Sequence, residues 1–125
     1  MAKNKKKILL VEDEVVMANM YKERFEQAGF DVGLAFTAEE GYEKAKELRP
    51  DLVVLDILLP RANGIGFLGN LRKDKELKDT TVVALSNYDV PETKAKARNL
   101  GVKAYLMKAD FIPRTLVEEI KKYVS

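Results

Sequence analysis

The stretch that decides the fold is DLVVLDILLP, residues 51–60. Its centre, LVVLD, is apolar at every position, so both faces of the strand it predicts must be covered. The run then ends in an acid, Asp56. A lone carboxylate at the edge of a core is destabilising by several kcal/mol unless a charge or a set of hydrogen bonds balances it. Two other runs have the same character: KILLVE at 7–12, also ending in an acid, and TVVALS at 81–86.

Between the apolar runs the hydrophobic period changes from strand to helix. EVVMANMYKERFEQAG (14–29) predicts a helix with Val16, Met20, Phe25 and Ala28 inward and Gly29 as its stop. DVGLAF (31–36) predicts the second strand. Thr37 caps TAEEGYEKAKEL (37–48), with Glu40 at the capping-box position and Pro50 beyond the end. Pro60 and Gly64 bracket a loop, and IGFLGNLRKD (65–74) reads as a helix weakened by Gly66 and Gly69. PETKAKARNLG (91–101), KAYLMK (103–108) and PRTLVEEIKKYV (113–124) predict helix, strand and helix. Met17, Met20 and Met107 read as core filler.

Five strands alternate with five helices in this reading. Strands buried on both faces need helices on both sides of a parallel sheet. With right-handed crossovers, the expectation is an α/β fold: a doubly wound five-stranded parallel sheet in the flavodoxin-like order 2-1-3-4-5. Residues 1–125 read as a single domain, with 1–7 as a basic tail leading into the first strand. Lys3, Lys5, Lys6 and Lys7 make that tail a solvated charge run.

Composition removes several kinds of chemistry. The chain has no Cys and no His, which excludes disulfides, thiolate metal sites, zinc-histidine sites and an imidazole base. No run is long and apolar enough to span a bilayer, and the short N-terminal apolar stretch breaks at Glu12, so neither a signal peptide nor membrane association is expected. The reading is a cytoplasmic protein. A net charge of +2, concentrated at the N-terminus, leaves no nucleic-acid footprint, and direct nucleic-acid binding is not expected.

In a parallel sheet the carboxyl ends of the strands share one edge. The residues ending the predicted strands are Glu12 and Asp13, then Asp56, then Ser86 and Asn87, then Lys108. Each has an ordinary explanation alone: acids before a helix complement its dipole, and Ser-Asn forms turns. Together they bring three carboxylates from two neighbouring strands to one place, beside a hydroxyl and an ammonium. Such acids repel unless a cation lies among them, and oxygen-only ligands suit a hard divalent ion, Mg²⁺, with Mn²⁺ as a substitute. Asp56 then stands where a carboxylate can attack phosphorus and carry an acyl phosphate.

LLVEDE, DLVVLDILLP with the following NG, VVALSN and AYLMK occur in this order at strand ends, and in that combination the chain resembles the receiver domains of two-component response regulators, in particular stand-alone, chemotaxis-regulator-like ones. The resemblance covers nearly the whole chain. It implies that Asp56 is the phosphoacceptor and that Asp13, Asp56, the backbone carbonyl of Leu58 and, through water, Glu12 hold Mg²⁺. It implies that Ser86 and Lys108 bind the phosphoryl group and that Ser86 and Tyr105 form the switch. The implied partners are a sensor histidine kinase or phosphotransfer protein and a downstream protein meeting the fourth helix, fifth strand and fifth helix. The implied role is signal transduction by phosphorelay rather than enzymatic turnover. Leu58 and Tyr88, two residues beyond Asp56 and Ser86, flank water's approach to the phosphoryl group; neither orients water, so slow dephosphorylation is expected.

The chain departs from the family pattern at three places. Glu12 stands where many receivers have Asp, and Asn63 where many have Asp before the loop glycine. Ala109 follows Lys108 where the family has a cis-proline, so that loop is either strained or routed differently. No acids precede the fifth strand, so pairing of two copies through that face is not expected. The alternative is a degenerate receiver that serves as a phosphorylation-independent scaffold. A flavin-binding protein of the same topology needs a phosphate cradle free of acids after the first strand, and VEDEVV is the opposite.

Overall fold

The computed structural model describes residues 5–124. Five strands, β1 (Lys7–Val11), β2 (Asp31–Ala35), β3 (Leu52–Asp56), β4 (Thr81–Ser86) and β5 (Ala104–Met107), alternate with five helices. These are α1 (Val15–Gln27), α2 (Ala38–Leu48), α3 (Asn63–Lys73), α4 (Pro91–Asn99) and α5 (Pro113–Lys121). The sheet is parallel throughout, in the order β2-β1-β3-β4-β5, as the apolar runs require. This is the flavodoxin-like doubly wound arrangement.

β3 lies at the centre, and all five of its residues are buried. Val54 stands in register with Leu10 on one side and Val83 on the other. Alternation along the strands builds two cores. Leu9, Val53, Leu55 and Val82 face α2, α3 and α4, meeting Ala45, Phe67, Leu68, Leu71 and Ala97. Ile8, Leu10, Val54 and Leu85 face α1 and α5, meeting Phe25, Leu116 and Ile120. Each fully buried Leu, Ile or Phe contributes about 1.5–3 kcal/mol over the exposed chain, which makes the central strands the most firmly held part of the molecule.

Several local expectations are corrected. In α1 the inward stripe is Ala18, Tyr21 and Phe25, whereas Val16 is 84% exposed and Met20 36%. Residues 18, 21 and 25 lie within one narrow arc at 3.6 residues per turn, and Val16 falls on the far side. Met17 is half-buried and packs against the core beneath α1 as expected, whereas Met107 is half-buried and packs against neither core. Gly64 is not the end of a loop: Pro60–Ala62 forms a 3₁₀ turn and α3 starts at Asn63, so Gly64 lies in its first turn. A side chain there would collide with the carbonyl of Ile57, so glycine permits the close approach of α3 to the chain after β3.

The cap of α2 is a variant of the expected box. The Glu40 amide donates to Thr37 Oγ1 at 3.1 Å, but the Glu40 carboxylate accepts from the Phe36 amide at 2.6 Å, one residue before the cap. Lys7 belongs to β1 rather than to the basic tail, its ammonium bonded to the Leu48 carbonyl at 3.4 Å. Lys3 lies outside the described residues.

Of the two routes open to the chain after Lys108, the molecule takes the unstrained one. All peptide bonds of the described residues are trans, and Lys108–Asp110 makes a 3₁₀ turn closed by the Phe111 amide on the Lys108 carbonyl at 3.2 Å.

Candidate functional site: an acidic pocket at the carboxyl edge

The residues just past the ends of β1, β3 and β5 meet at one edge of the sheet. Glu12 and Asp13 follow Val11, Asp56 ends β3, and Lys108 follows Met107. Carboxylate oxygens of Glu12, Asp13 and Asp56 all lie within 4.8 Å of one another. Glu12 is fully buried, Asp56 is 5% exposed and Lys108 8% exposed, while Asp13 is the solvent-side member.

Lys108 ties this edge together. Its ammonium donates to Glu12 Oε1 at 2.6 Å and to Asp56 Oδ2 at 3.3 Å. The other oxygen of each carboxylate takes a backbone amide: Glu12 Oε2 from Glu14 at 3.1 Å, and Asp56 Oδ1 from Leu58 at 3.1 Å. Every acceptor that the buried pair presents is thus at least singly satisfied, the condition for keeping ions inside a protein.

Burial is the strongest influence on Glu12 and pushes its carboxyl up from the ordinary glutamate value; Asp56 adds to that, while Lys108 and the Glu14 amide pull the other way. For Lys108, burial again acts most strongly, against the charge. The hydrogen bond to Glu12 and the charges of both acids outweigh it, so the ammonium is held above the usual lysine value. The result is a charged lysine shared between two carboxylates, the more buried of which protonates more readily than free glutamate.

Ser86 lies on β4 one residue beyond Leu85, the register partner of Asp56. Its hydroxyl is turned into its own turn, donating to the Tyr88 carbonyl at 2.6 Å and accepting from the Tyr88 amide at 3.1 Å. It therefore stands beside the pocket without bonding to it. Tyr88 itself is 69% exposed. Tyr105 packs on the α3–α4 side of the sheet, and its hydroxyl is buried with no hydrogen-bond partner. The Lys94 ammonium stands 5.7 Å from the centre of its ring. Leu58 meets Asp56 through its amide rather than its carbonyl.

Two features escaped the sequence reading. Glu12 bonds directly to Lys108. Tyr21, on the inward face of α1, lies near enough that Lys108, Glu12 and Asp56 all act on its phenol, although burial is the main reason it is raised. The signal for Tyr21 was the spacing of 18, 21 and 25, obscured by the apolar Val16 and Met20.

A doubly wound parallel sheet with three acids and a lysine at its carboxyl edge defines an α/β domain with an acidic pocket. The chain belongs to the response regulator receiver domain family, which it matches over residues 8–121. It is 29% identical over 120 residues to the polar-differentiation response regulator DivK of Brucella anthropi, covering 96% of this chain and 97% of that one. Among solved structures it is similar to a CheY-like response regulator receiver domain protein from Methanospirillum hungatei JF-1. That pair shares 30% identity and a TM-score of 0.87, over 97% of this chain and 94% of the other. Chemotaxis protein CheY4 of Vibrio cholerae shares 27% identity and a TM-score of 0.87, over 96% and 99%.

Proposed function

We propose that the chain accepts a phosphoryl group on Asp56 from a phosphohistidine of a sensor kinase or phosphotransfer protein, or from a small phosphodonor, and works as a cytoplasmic phosphorelay switch. The observation that carries this reading is the placing of Asp56: a buried carboxylate at the carboxyl end of β3, 3.3 Å from a lysine ammonium and grouped with two further acids.

The donor set fits a hard divalent cation. Three carboxylates with oxygen atoms within 4.8 Å face a single ammonium, which leaves an excess of negative charge for a metal to neutralise. Glu12, Asp13 and Asp56 would hold Mg²⁺, with the Leu58 carbonyl completing the set. Bound there, the ion supplies charge stabilisation to the transferring group.

An oxygen of Asp56 attacks phosphorus as the bond to the donor's leaving group breaks, giving an aspartyl phosphate. Lys108 already touches Asp56 and can follow the new charge onto the phosphoryl oxygens, exchanging its bond to Asp56 without leaving the pocket. The Leu58 amide holds the other carboxylate oxygen and orients the nucleophile. Ser86 breaks its bonds to Tyr88 to donate to the phosphoryl group, and Tyr105 and α4 adjust to the space released. The changed surface of α4, β5 and α5 is read by a partner. Tyr88 and Leu58 flank the water approach and offer it no base, so the acyl phosphate decays slowly.

The test is intact-protein mass after incubation with Mg²⁺ and a small phosphodonor, wild type beside Asp56→Asn. One phosphoryl adduct in the wild type and none in the variant is the expected result. No adduct on a folded wild type would instead favour the phosphorylation-independent scaffold. Ser86→Ala is expected to take up phosphate but to lose the phosphorylation-dependent change in partner binding; an unchanged response in that variant refutes the Ser86 coupling.

A further inference from the structure

Beyond Asp56 the chain turns at Ile57 and Leu58 and again in the 3₁₀ turn Pro60–Ala62. That second turn holds Arg61 at φ 61° and ψ 31°, in the left-handed region. A side chain there is strained, and glycine is the residue that adopts this conformation freely. Among the described residues one other non-glycine has a positive φ, Arg49 at 49°. Its case is ordinary: it is the left-handed stop of α2, and its guanidinium pairs with Glu76 at 2.8 Å. Arg61 stops no helix, since the chain runs on into α3 at Asn63. It is exposed, and the ion pairs among the described residues leave it out. Strain kept without a local structural use points to a use for the side chain.

What Arg61 borders indicates that use. A cavity of about 130 Å³ lies between the β2–α2 turn and the 3₁₀ turn, lined by Asp13, Phe36, Thr37, Leu59, Arg61 and Asn63. Asp13 belongs to the carboxylate cluster that contains Asp56, so the cavity adjoins the acidic pocket. The volume equals that of about four water molecules, which matches a small acyl group. Phe36 and Leu59 supply apolar wall, and Asn63 and Arg61 supply donors. Arg61 is the one cation lining the cavity among the described residues; Asp13 and Glu39 are the acids. Asp13 is claimed by the divalent ion, and Glu39 is exposed and screened by water.

We propose that Arg61 and this cavity form a leaving-group subsite that favours acyl phosphates among small phosphodonors. This role of Arg61 rests on the reading of Asp56 as phosphoacceptor. When an oxygen of Asp56 attacks the phosphorus of an acyl phosphate, the bond from phosphorus to the acyl oxygen breaks. Its electron pair stays on that oxygen, the group leaves as a carboxylate, and no proton moves. Negative charge grows there only as the bond breaks, so a guanidinium beside it stabilises the transition state more than the bound donor. Arginine suits the product as well, since its paired N–H donors match both oxygens of a carboxylate. In phosphoramidate the nitrogen is already protonated. The P–N bond breaks, the pair stays on nitrogen, and neutral ammonia leaves, so a cation gives that donor no such help.

The test measures phosphorylation of the full chain by acetyl phosphate and by phosphoramidate, followed as intact mass at saturating Mg²⁺. The quantity read is the ratio of the two rate constants, in which any loss common to both donors cancels. Arg61→Gln is expected to lower the acetyl phosphate to phosphoramidate ratio about fivefold, the effect of one partly solvated charge contact. Arg61→Lys keeps the charge and should retain most of the ratio. Arg61→Gly should lower the ratio as Gln does, yet melt no lower than the wild type, because it relieves the backbone. Arg49→Gln removes a distant charge of the same sign and should keep the wild-type ratio. The subsite is overturned by an unchanged ratio in Arg61→Gln, by an equal fall in Arg49→Gln, or by a ratio in Arg61→Lys as low as in Arg61→Gln. A lower melting temperature in Arg61→Gly would also overturn it, by giving the arginine a structural role instead. No adduct on the wild type with either donor defeats the phosphoacceptor reading and the subsite with it. An adduct on Asp56 with a ratio indifferent to Arg61 defeats the subsite alone.

Discussion

The ammonium of Lys108 stands 2.6 Å from the carboxylate of Glu12 and 3.3 Å from that of Asp56, so the buried lysine is held chiefly by the glutamate. The shorter of the two contacts is to the longer acid, glutamate rather than aspartate. The glutamate thus supplies a resting place for the lysine that leaves Asp56 less tightly engaged.

Breaking this arrangement from its two sides has unequal effects. Lys108→Ala leaves three clustered acids without their cation and is expected to destabilise the metal-free protein by about 3 kcal/mol, the usual scale for orphaning a buried charge. Glu12→Gln leaves Lys108 with Asp56 and keeps a carbonyl acceptor, so its loss should be smaller. Urea denaturation in the presence of chelator measures both; an equal loss in the two variants would show that Lys108 does not serve both acids.

The same geometry sets Lys108 in competition with a divalent cation. Added Mg²⁺ is expected to raise the melting temperature of the wild type, by the equivalent of about 2.7 kcal/mol at a concentration a hundredfold above the dissociation constant. Asp13→Asn should lose most of this gain. Lys108→Ala should bind Mg²⁺ more tightly than the wild type, by about tenfold, since a charge of the same sign has been removed. Titration calorimetry decides, and weaker binding in that variant would mean that Lys108 organises the carboxylates rather than competing at them.

The Tyr105 hydroxyl is buried and has no partner. A lone buried hydroxyl carries an uncompensated desolvation penalty of about 1–3 kcal/mol. Tyr105→Phe is therefore expected to stabilise the unphosphorylated protein by about 1 kcal/mol, while Tyr105→Ala, which empties the space over Ala84 and beneath Lys94, destabilises it. Melting curves of the two variants test the pair of signs.

Far from the pocket, the Tyr42 hydroxyl donates to Asp74 at 2.7 Å and joins α2 to the end of α3. That bond is the main reason the Asp74 carboxyl is held below its ordinary value and the Tyr42 phenol above its own. A depressed carboxyl contributes stability that is present above its unfolded value and disappears as pH falls through the folded one. A raised phenol contributes stability that is present below its unfolded value and disappears as pH rises through the folded one. Wild type should therefore exceed Tyr42→Phe in stability at neutral pH, with the margin narrowing below about pH 4 and again above about pH 10. A margin constant from acid to alkali would exclude a role for the ionised Asp74.

The sheet order and the identity of the pocket residues were legible in the chain because they depend on local properties. LVVLD is apolar on both faces, which forces a central strand, and a strand's last residue belongs to the carboxyl edge wherever the strand lies. Glu12, Asp13, Asp56 and Lys108 accordingly meet as expected. Partner choice and helix rotation are different. Val16 and Met20 look inward-facing by composition, yet the arc that packs on the sheet is set by small Ala18 and bulky Phe25. The inward Tyr105, its ring under Lys94, depends on how closely α4 approaches β5.

What the sequence alone determined is the set of charges brought to one edge, because strand length and apolar period are written residue by residue. What only the tertiary structure decided is which charges touch. Lys108 and Glu12 are 96 residues apart, and their bond depends on side-chain reach across the carboxyl ends of β3 and β4, the two strands between them, a distance that no local pattern encodes.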